Sequence, residues 1–156
     1  MPEFPQSLTT ELLLDADIDL APAENVGASP FGTRSIHIVT GGTFQGPGLR
    51  GTFRSGGGDW LLTLAGGAHE LDVRATIETD DGALIYLSYR GVLDVAPDVM
   101  ARVFAGEEIA PSEYYFRTTP RFETGSEKYA WLNKTICIGT GYFAPGKVAY
   151  RIFAVK

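Results

Sequence analysis

The chain lacks several features that usually reveal a function. It has one cysteine, Cys137, which excludes an internal disulfide. Its two histidines, His37 and His69, stand in no His-x-His or His-Glu-x-x-His pattern, so we expect no metal site. The net charge is −6, and no basic stripe occurs, which disfavours a nucleic-acid partner.

Long apolar runs are also missing. No segment approaches the roughly 20 residues that a membrane-spanning helix needs, and the N-terminal residues lack the basic and apolar regions of a secretory signal. We therefore expect no membrane association and a cytoplasmic location. With 156 residues, of which 44% are hydrophobic and 21% charged, the chain is typical of one globular domain, residues 1–156, with its own core.

No motif for a cofactor or a nucleophile is convincing. The segment Gly46–Gly51 formally matches G-x-G-x-x-G, but no helical pattern follows, so we interpret its glycines as bends in a curved sheet. Three aspartates in residues 15–19 resemble the start of a calcium loop, but Leu20 replaces the required glycine. Cys137 lies among apolar neighbours, which indicates a buried residue rather than a nucleophile. We expect no cofactor.

Alternation of apolar and polar residues is the dominant pattern, and it predicts strands. Asp81-Gly82 predicts a hairpin turn between two of them. Many short strands with frequent turns favour a mainly antiparallel all-β barrel or sandwich of about eight to ten strands. The predicted strands are Thr10–Leu20, Arg34–Thr40, Trp60–Leu64, Leu71–Thr79, Ala83–Arg90, Ser112–Thr119, Tyr129–Ile138 and Val148–Val155.

One short helix is predicted between Leu93 and Glu108. Asp94 is a suitable cap, Pro97 suits the first turn, and Gly106 suits the end. The segment Ala21–Phe31, with its prolines and glycine, predicts a loop. Pro120 is expected to end the strand that precedes it.

The strand Tyr129–Ile138 gives the main functional hypothesis. Its alternation places Tyr129, Trp131 and Asn133 on one face and aliphatic residues on the other. Aromatic side chains with a polar amide between them are typical of a ligand cavity. We therefore predict a substrate-binding wall, with Asn133 orienting a substrate oxygen, made of Trp60, Tyr115, Tyr129, Trp131 and Asn133.

Charged residues on the strands give the catalytic candidates. Asp72 and Arg74 share one face of a strand whose other face is aliphatic. They form either an exposed pair, worth under about 1 kcal/mol, or an interior pair if the aliphatic face packs outward. The same alternatives apply to Arg117 and Glu123. In a cavity, the carboxylates would transfer protons, and the arginines would hold developing negative charge.

Six segments follow one another along the chain in a recognisable order: Gly42–Gly51, Gly57–Trp60, Leu71–Arg74, Thr79–Ala83, Tyr115–Thr124 and Tyr129–Asn133. In this order, and over about Leu12 to Val155, the chain resembles domain-of-unknown-function family 3237. This resemblance implies a small antiparallel β-barrel, broadly like allene oxide cyclases, dirigent proteins and lipocalins, often assembled into homo-oligomers. It also implies that some similar proteins are cofactor-free cyclases, which add a hydroxyl across an alkene.

Three functional hypotheses stay open at this point. The chain is a cofactor-independent cyclase, isomerase or lyase that acts on a small hydrophobic or aromatic metabolite. Alternatively, it binds or carries such a metabolite without chemistry, or its polar and aromatic residues only fill the barrel. The third hypothesis is separated from the other two by one observation, namely which side chains point into the barrel and whether space remains among them.

Overall fold

The alternating segments form one sheet of ten strands. The structure is a computed structural model that describes residues 1–156. A single α-helix, α1 (Pro97–Phe104), and two short 3₁₀ helices, Pro111–Glu113 and Ala130–Lys134, accompany the sheet. The strands are β1 (Thr10–Leu20), β2 (Glu24–Ser29), β3 (Gly32–Gln45), β4 (Arg50–Phe53), β5 (Gly58–Thr63), β6 (His69–Thr79), β7 (Leu84–Asp94), β8 (Tyr115–Glu123), β9 (Cys137–Ala144) and β10 (Lys147–Val155).

The sheet closes on itself as an antiparallel barrel. The strands follow the order β1-β10-β9-β8-β7-β6-β4-β3, and β1 also pairs with β3, which joins the two ends. β4 and β5 lie one after the other in the position between β3 and β6, each pairing with both strands, and β2 pairs with β3 outside the ring. The result is a closed eight-stranded barrel with two extra strands and one short helix, which confirms the barrel prediction.

Strand parity decides what fills the barrel. On β6, Leu71, Val73, Ala75 and Ile77 are all buried, whereas the residues between them face outward. Burying one large aliphatic or aromatic side chain contributes about 1.5–3 kcal/mol, so this inward row stabilises the barrel strongly. One end of the barrel is filled by large, fully buried side chains, among them Leu14, Ile77, Ile85, Leu87, Phe122 and Ile152.

The helix closes part of the other end. Pro97 stands in its first turn as predicted, and Gly106, with φ 86°, follows the C-cap Ala105. Ala96 rather than Asp94 is the N-cap, and no side chain caps the first turn, so the predicted cap is wrong. The helix buries Val99 and Val103 against the barrel. None of the helices is long and apolar enough to cross a membrane.

The predicted strand Tyr129–Ile138 is wrong over most of its length. Ala130–Lys134 forms a 3₁₀ helix, and β9 begins only at Cys137. The Asn133 side chain accepts the Thr124 N–H at 2.8 Å and donates to the Thr124 carbonyl at 2.9 Å. Since these bonds tie the segment to the end of β8, contacts with the preceding strand override the local period of two.

Two further predictions fail locally. The segment predicted as a loop contains β2, which pairs with the first half of β3. Pro120 does not end β8, which continues to Glu123. Proline lacks a backbone N–H, but β9 pairs with β8 only at Arg117 and Thr118, so no sheet hydrogen bond on that side is required of Pro120.

Candidate functional site

A cavity of about 580 Å³ occupies the end of the barrel next to α1. Of its 28 lining residues, 17 are hydrophobic, and its size suits a small organic ligand. Its lining includes Met100 and Phe104 of α1, residues 20–23 at the end of β1 and beyond, and residues 144–147 at the turn from β9 to β10. A small molecule entering at this end would lie inside the barrel.

One wall of the cavity is polar because alternate residues of three neighbouring strands face it. His37 on β3 lies directly opposite Asp59 on β5, and Thr63 on β5 lies opposite His69 on β6. Directly opposite residues on one face have Cβ atoms about 5 Å apart. The wall therefore gathers one carboxyl, two imidazoles and several hydroxyls, from Thr33, Ser35, His37, Asp59, Thr63 and His69.

Asp59 is the ionisable carboxyl of this wall. Its Oδ1 accepts the Asp72 backbone N–H at 3.0 Å. The next two residues of β5, Trp60 and Leu61, have no paired residue on β6, so the Asp59 side chain bonds to β6 where the strand pairing is interrupted. Burial raises its pKa to about 6, although the Asp72 amide and the Arg34 charge oppose the rise. At pH 7 about a tenth of the carboxyl is then protonated. A group near its pKa can both give and take a proton.

The two histidines are held by neighbouring hydroxyls. His37 Nε2 is 3.1 Å from Ser35 Oγ, and His69 Nδ1 is 2.7 Å from Thr63 Oγ1. Burial lowers the pKa of both rings; for His69, Asp94 opposes this effect and His37 adds to it. Both imidazoles are therefore neutral at pH 7, and a neutral imidazole can accept a proton.

The other wall of the cavity is aromatic and aliphatic. The rings of Tyr89 and Tyr150 meet edge to face with centroids 5.2 Å apart, and Tyr150 meets Phe116 in the same way at 5.4 Å. Edge-to-face contact is an arrangement that aromatic rings prefer, so these pairs stabilise the ring orientations at this wall. Burial raises the pKa of both tyrosines above their usual value, so both stay protonated.

The structure places the predicted catalytic pair outside the barrel. Asp72 faces outward and forms an ion pair with Arg90 at 2.8 Å, while Arg74 lies 3.9 Å from Asp72. The Arg74 guanidinium lies 5.9 Å from the ring centroid of Trp60, on the same outer surface. The expected inward orientation is wrong because the aliphatic face of β6 packs inside. The exposed-pair alternative describes these residues.

The other predicted residues also lie away from the cavity. Arg117 stacks on the exposed ring of Tyr115 at 5.1 Å, and Trp131 is 45% exposed. Tyr129 is buried, but its hydroxyl donates to Asp81 Oδ1 at 2.9 Å. None of the nine predicted site residues lines the large cavity.

Two of the predicted residues do come together, but on the outside. Glu123 and Asn133 line a depression of about 330 Å³, with Tyr86, Ser88 and Arg121 among its other residues. Only two of its seven lining residues are hydrophobic. A water-facing depression of this kind does not enclose an apolar ligand.

The sequence interpretation missed Asp59, His37 and His69 as a group. It considered the histidines only as metal ligands and gave Asp59 no role. A usable signal was present: polar residues alternate along Thr33, Ser35 and His37, as lining residues of a barrel do. Their pairing with Asp59 and His69 depends on strands β5 and β6, whose register the pattern does not give.

Together, these features define a closed β-barrel protein with a mainly apolar internal cavity that has one polar wall. The chain belongs to the family described as protein of unknown function (DUF3237), whose model matches residues 8–155. This confirms the resemblance inferred from the six segments.

Individual relatives agree with this assignment. An uncharacterised UPF0311 protein of Rhodopseudomonas palustris is 31% identical over 134 residues, which cover 86% of this chain and 88% of that protein. A hydroalkoxylation enzyme of Penicillium herquei is 30% identical over 131 residues, 83% of this chain and 72% of that enzyme. The crystal structure of a β-barrel-like protein from Acinetobacter baumannii has a TM-score of 0.86 at 36% identity, and the match covers 99% of this chain and 100% of that one.

Proposed function

We propose that the chain is a cyclase that adds a hydroxyl of its substrate across an alkene of the same molecule. The substrate is a small hydrophobic or aromatic metabolite bound in the 580 Å³ cavity. The observation that carries the proposal is Asp59, a carboxyl with pKa about 6, placed opposite His37 on one wall of a mainly apolar cavity. The similarity to a hydroalkoxylation enzyme supports this reaction type.

The reaction needs two proton transfers and no net oxidation. The substrate O–H bond breaks, the oxygen bonds to one alkene carbon, and the other alkene carbon gains a proton. In the proposed roles, neutral His37 takes the hydroxyl proton and the protonated Asp59 carboxyl gives a proton to carbon. Transfer from the imidazolium back to the Asp59 carboxylate restores both groups for the next turnover.

The apolar surroundings favour this chemistry. A cavity lined largely by hydrophobic residues excludes competing water and strengthens the electrostatic effect of each polar group. The same burial holds Asp59 partly protonated and the histidines neutral at pH 7, which are the states that the two roles require.

Deuterium incorporation tests the reaction directly. The protein would be incubated in D₂O with a panel of phenols and alcohols that carry an alkene side chain. Ring closure gives a product of unchanged mass in H₂O and one additional carbon-bound deuterium in D₂O. We expect Asp59→Asn, which retains the oxygen that accepts the Asp72 N–H, to lower the rate by about 10² or more.

Asp72→Asn is the matched control. It removes the carboxyl of a residue whose backbone N–H binds Asp59 but whose side chain lies on the outer surface, paired with Arg90, so the rate should stay within about twofold. If Asp72→Asn lowers the rate and Asp59→Asn leaves it unchanged, Asp59 is not the acid.

The large apolar share of the lining also favours a second candidate, a carrier of a hydrophobic molecule. A carrier would retain panel compounds unaltered, and Asp59→Asn would then change affinity without any product forming.

A further inference from the structure

We infer that His69 binds a second hydroxyl of the substrate, about 7–10 Å from the hydroxyl that reacts. The substrate class is then an apolar ring system that carries one hydroxyl near each end. This inference deepens the proposed ring closure and rests on it only for which of the two hydroxyls reacts. It is carried by the strand register and by two hydrogen bonds on the polar wall.

The polar wall of the cavity has an inner and an outer polar level. His37 and Asp59 lie directly opposite each other at the inner level. Four residues further along β5, Thr63 lies opposite Thr33 on one side and opposite His69 on the other, which forms the outer level. All five residues line the cavity. Thr63 ends β5 and His69 begins β6, so the outer level lies where these strands leave the barrel.

Between the two levels the wall is apolar on two of its three strands. Leu61 on β5 and Leu71 on β6 line the cavity there, and Ser35 on β3 lies opposite Leu61. The Ser35 hydroxyl is 3.1 Å from His37 Nε2, so it already has a partner. A ligand that reaches both polar levels therefore needs an apolar middle.

The spacing of the two hydroxyls follows from strand geometry. The hydrogen bond to Ser35 brings the His37 ring to the level of Ser35, between the two polar levels. Ser35 and Thr33 are two residues apart on β3, which corresponds to about 7 Å along the strand. Since His69 lies across the wall from β3, hydroxyls bound to the two imidazoles are roughly 7–10 Å apart.

Thr63 orients the His69 ring. Nδ1 of His69 lies 2.7 Å from Thr63 Oγ1, and this is the one hydrogen bond that the ring makes with the protein. The ring is half-buried and lines the cavity. Its Nε2 bonds to no protein group and is not enclosed by protein, so a molecule in the cavity can bond to it.

A hydroxyl is the ligand group that suits this nitrogen. Burial lowers the pKa of His69, so the ring is neutral at pH 7. Nε2 then carries a proton if Thr63 donates to Nδ1, and it is an acceptor if Thr63 accepts from Nδ1. A hydroxyl pairs with Nε2 in both cases because it can donate and accept, whereas a carbonyl or an ammonium group pairs in only one.

Three naphthols test the second hydroxyl site by isothermal titration calorimetry at pH 7. The compound 2,6-dihydroxynaphthalene carries a hydroxyl at each end, 2-naphthol lacks one of them, and 2,3-dihydroxynaphthalene carries both at the same end. We expect the wild-type protein to bind the 2,6-diol about tenfold more tightly than 2-naphthol, the effect of one good hydrogen bond. The 2,3-diol should bind within about threefold of 2-naphthol, because its second hydroxyl does not reach His69.

Variants of the outer level identify the residue responsible. His69→Phe keeps a ring but removes both nitrogens, so it should bind the 2,6-diol and 2-naphthol equally, with unchanged affinity for 2-naphthol. His69→Gln, whose amide also donates and accepts, should retain most of the preference. Thr63→Val should weaken the preference because the ring loses its partner. Thr76→Val, which removes a hydroxyl from the outer surface of β6, should behave as the wild type.

Equal binding of the 2,6-diol and 2-naphthol by the wild type would overturn the inference, and this comparison does not depend on the folding of any variant. A preference that survives His69→Phe would also overturn it. So would a 2,3-diol that binds as tightly as the 2,6-diol, since polarity rather than spacing would then explain the gain.

The naphthol titrations and the deuterium assay separate this inference from the proposed function. A preference for the 2,6-diol that depends on His69, in a protein that closes no ring, refutes the reaction and leaves the second hydroxyl site in place. Turnover that depends on Asp59, without that preference, refutes the second hydroxyl site and leaves the reaction in place.

Discussion

The raised pKa of Asp59 predicts a pH-dependent cost to folding, which Asp59→Asn should remove. Burial raises the pKa of this carboxyl from its usual 3.8 to about 6. Between about pH 4 and pH 6 the folded state therefore keeps a proton that the unfolded state has lost. Stability contributed by this group is highest below about pH 4, falls as the pH rises through this window and stays low above it.

The magnitude follows from the pKa difference. A pKa difference of one between the folded and unfolded states changes the free energy of unfolding by about 1.4 kcal/mol. A rise from 3.8 to about 6 therefore corresponds to about 3 kcal/mol. The asparagine variant does not titrate. Relative to the wild type, it should therefore gain about 3 kcal/mol in free energy of unfolding between pH 4 and pH 7, on top of any constant offset from the new amide group.

Urea denaturation of both proteins at half-unit intervals from pH 4 to pH 8 measures this difference. Subtracting the two curves cancels the titration of the other carboxyls, including those in surface ion pairs. A difference that stays flat across the range would show that Asp59 is not held in a desolvated position, and the acid role proposed for it would lose its basis.

Two further predictions concern packing. Cys137 is 3% exposed and burial raises its pKa to about 11, so iodoacetamide at pH 8 should modify it at least about 100-fold more slowly in the folded protein than in urea; rapid labelling of the folded protein would contradict its burial. A Cβ at Gly141 would overlap the Phe116 ring, so Gly141→Ala should destabilise the protein by about 1–3 kcal/mol in urea denaturation. Gly125→Ala, where no atom lies within 4 Å, is its control, and an equal loss there would contradict this reasoning.

Most of the fold was predictable because it depends on local patterns. The alternation in Leu71–Thr79, the Asp81-Gly82 turn and the spacing of the helix all appear in the structure near their predicted positions. The failure at Tyr129–Ile138 has a specific cause. The two hydrogen bonds between the Asn133 side chain and Thr124 join residues nine positions apart, and a period-two pattern does not report them.

None of the predicted site residues lines the cavity, because alternation gives two faces without saying which one is concave. On β6 the aliphatic face points inward, so Asp72 and Arg74 point to solvent. On β3 the inward face at the open end carries Ser35 and His37 instead, because the barrel leaves an unfilled cavity there.

The sequence by itself determined that this chain forms antiparallel strands joined by turns, since period-two patterning and turn chemistry act between near neighbours. Only the tertiary structure decided which residues share the cavity. The pairing of β1 with β3 closes the sheet and gives it an inside. The register of β3, β5 and β6 then brings His37, Asp59 and His69 to one wall, because hydrogen bonds between distant strands, rather than local propensity, fix that register.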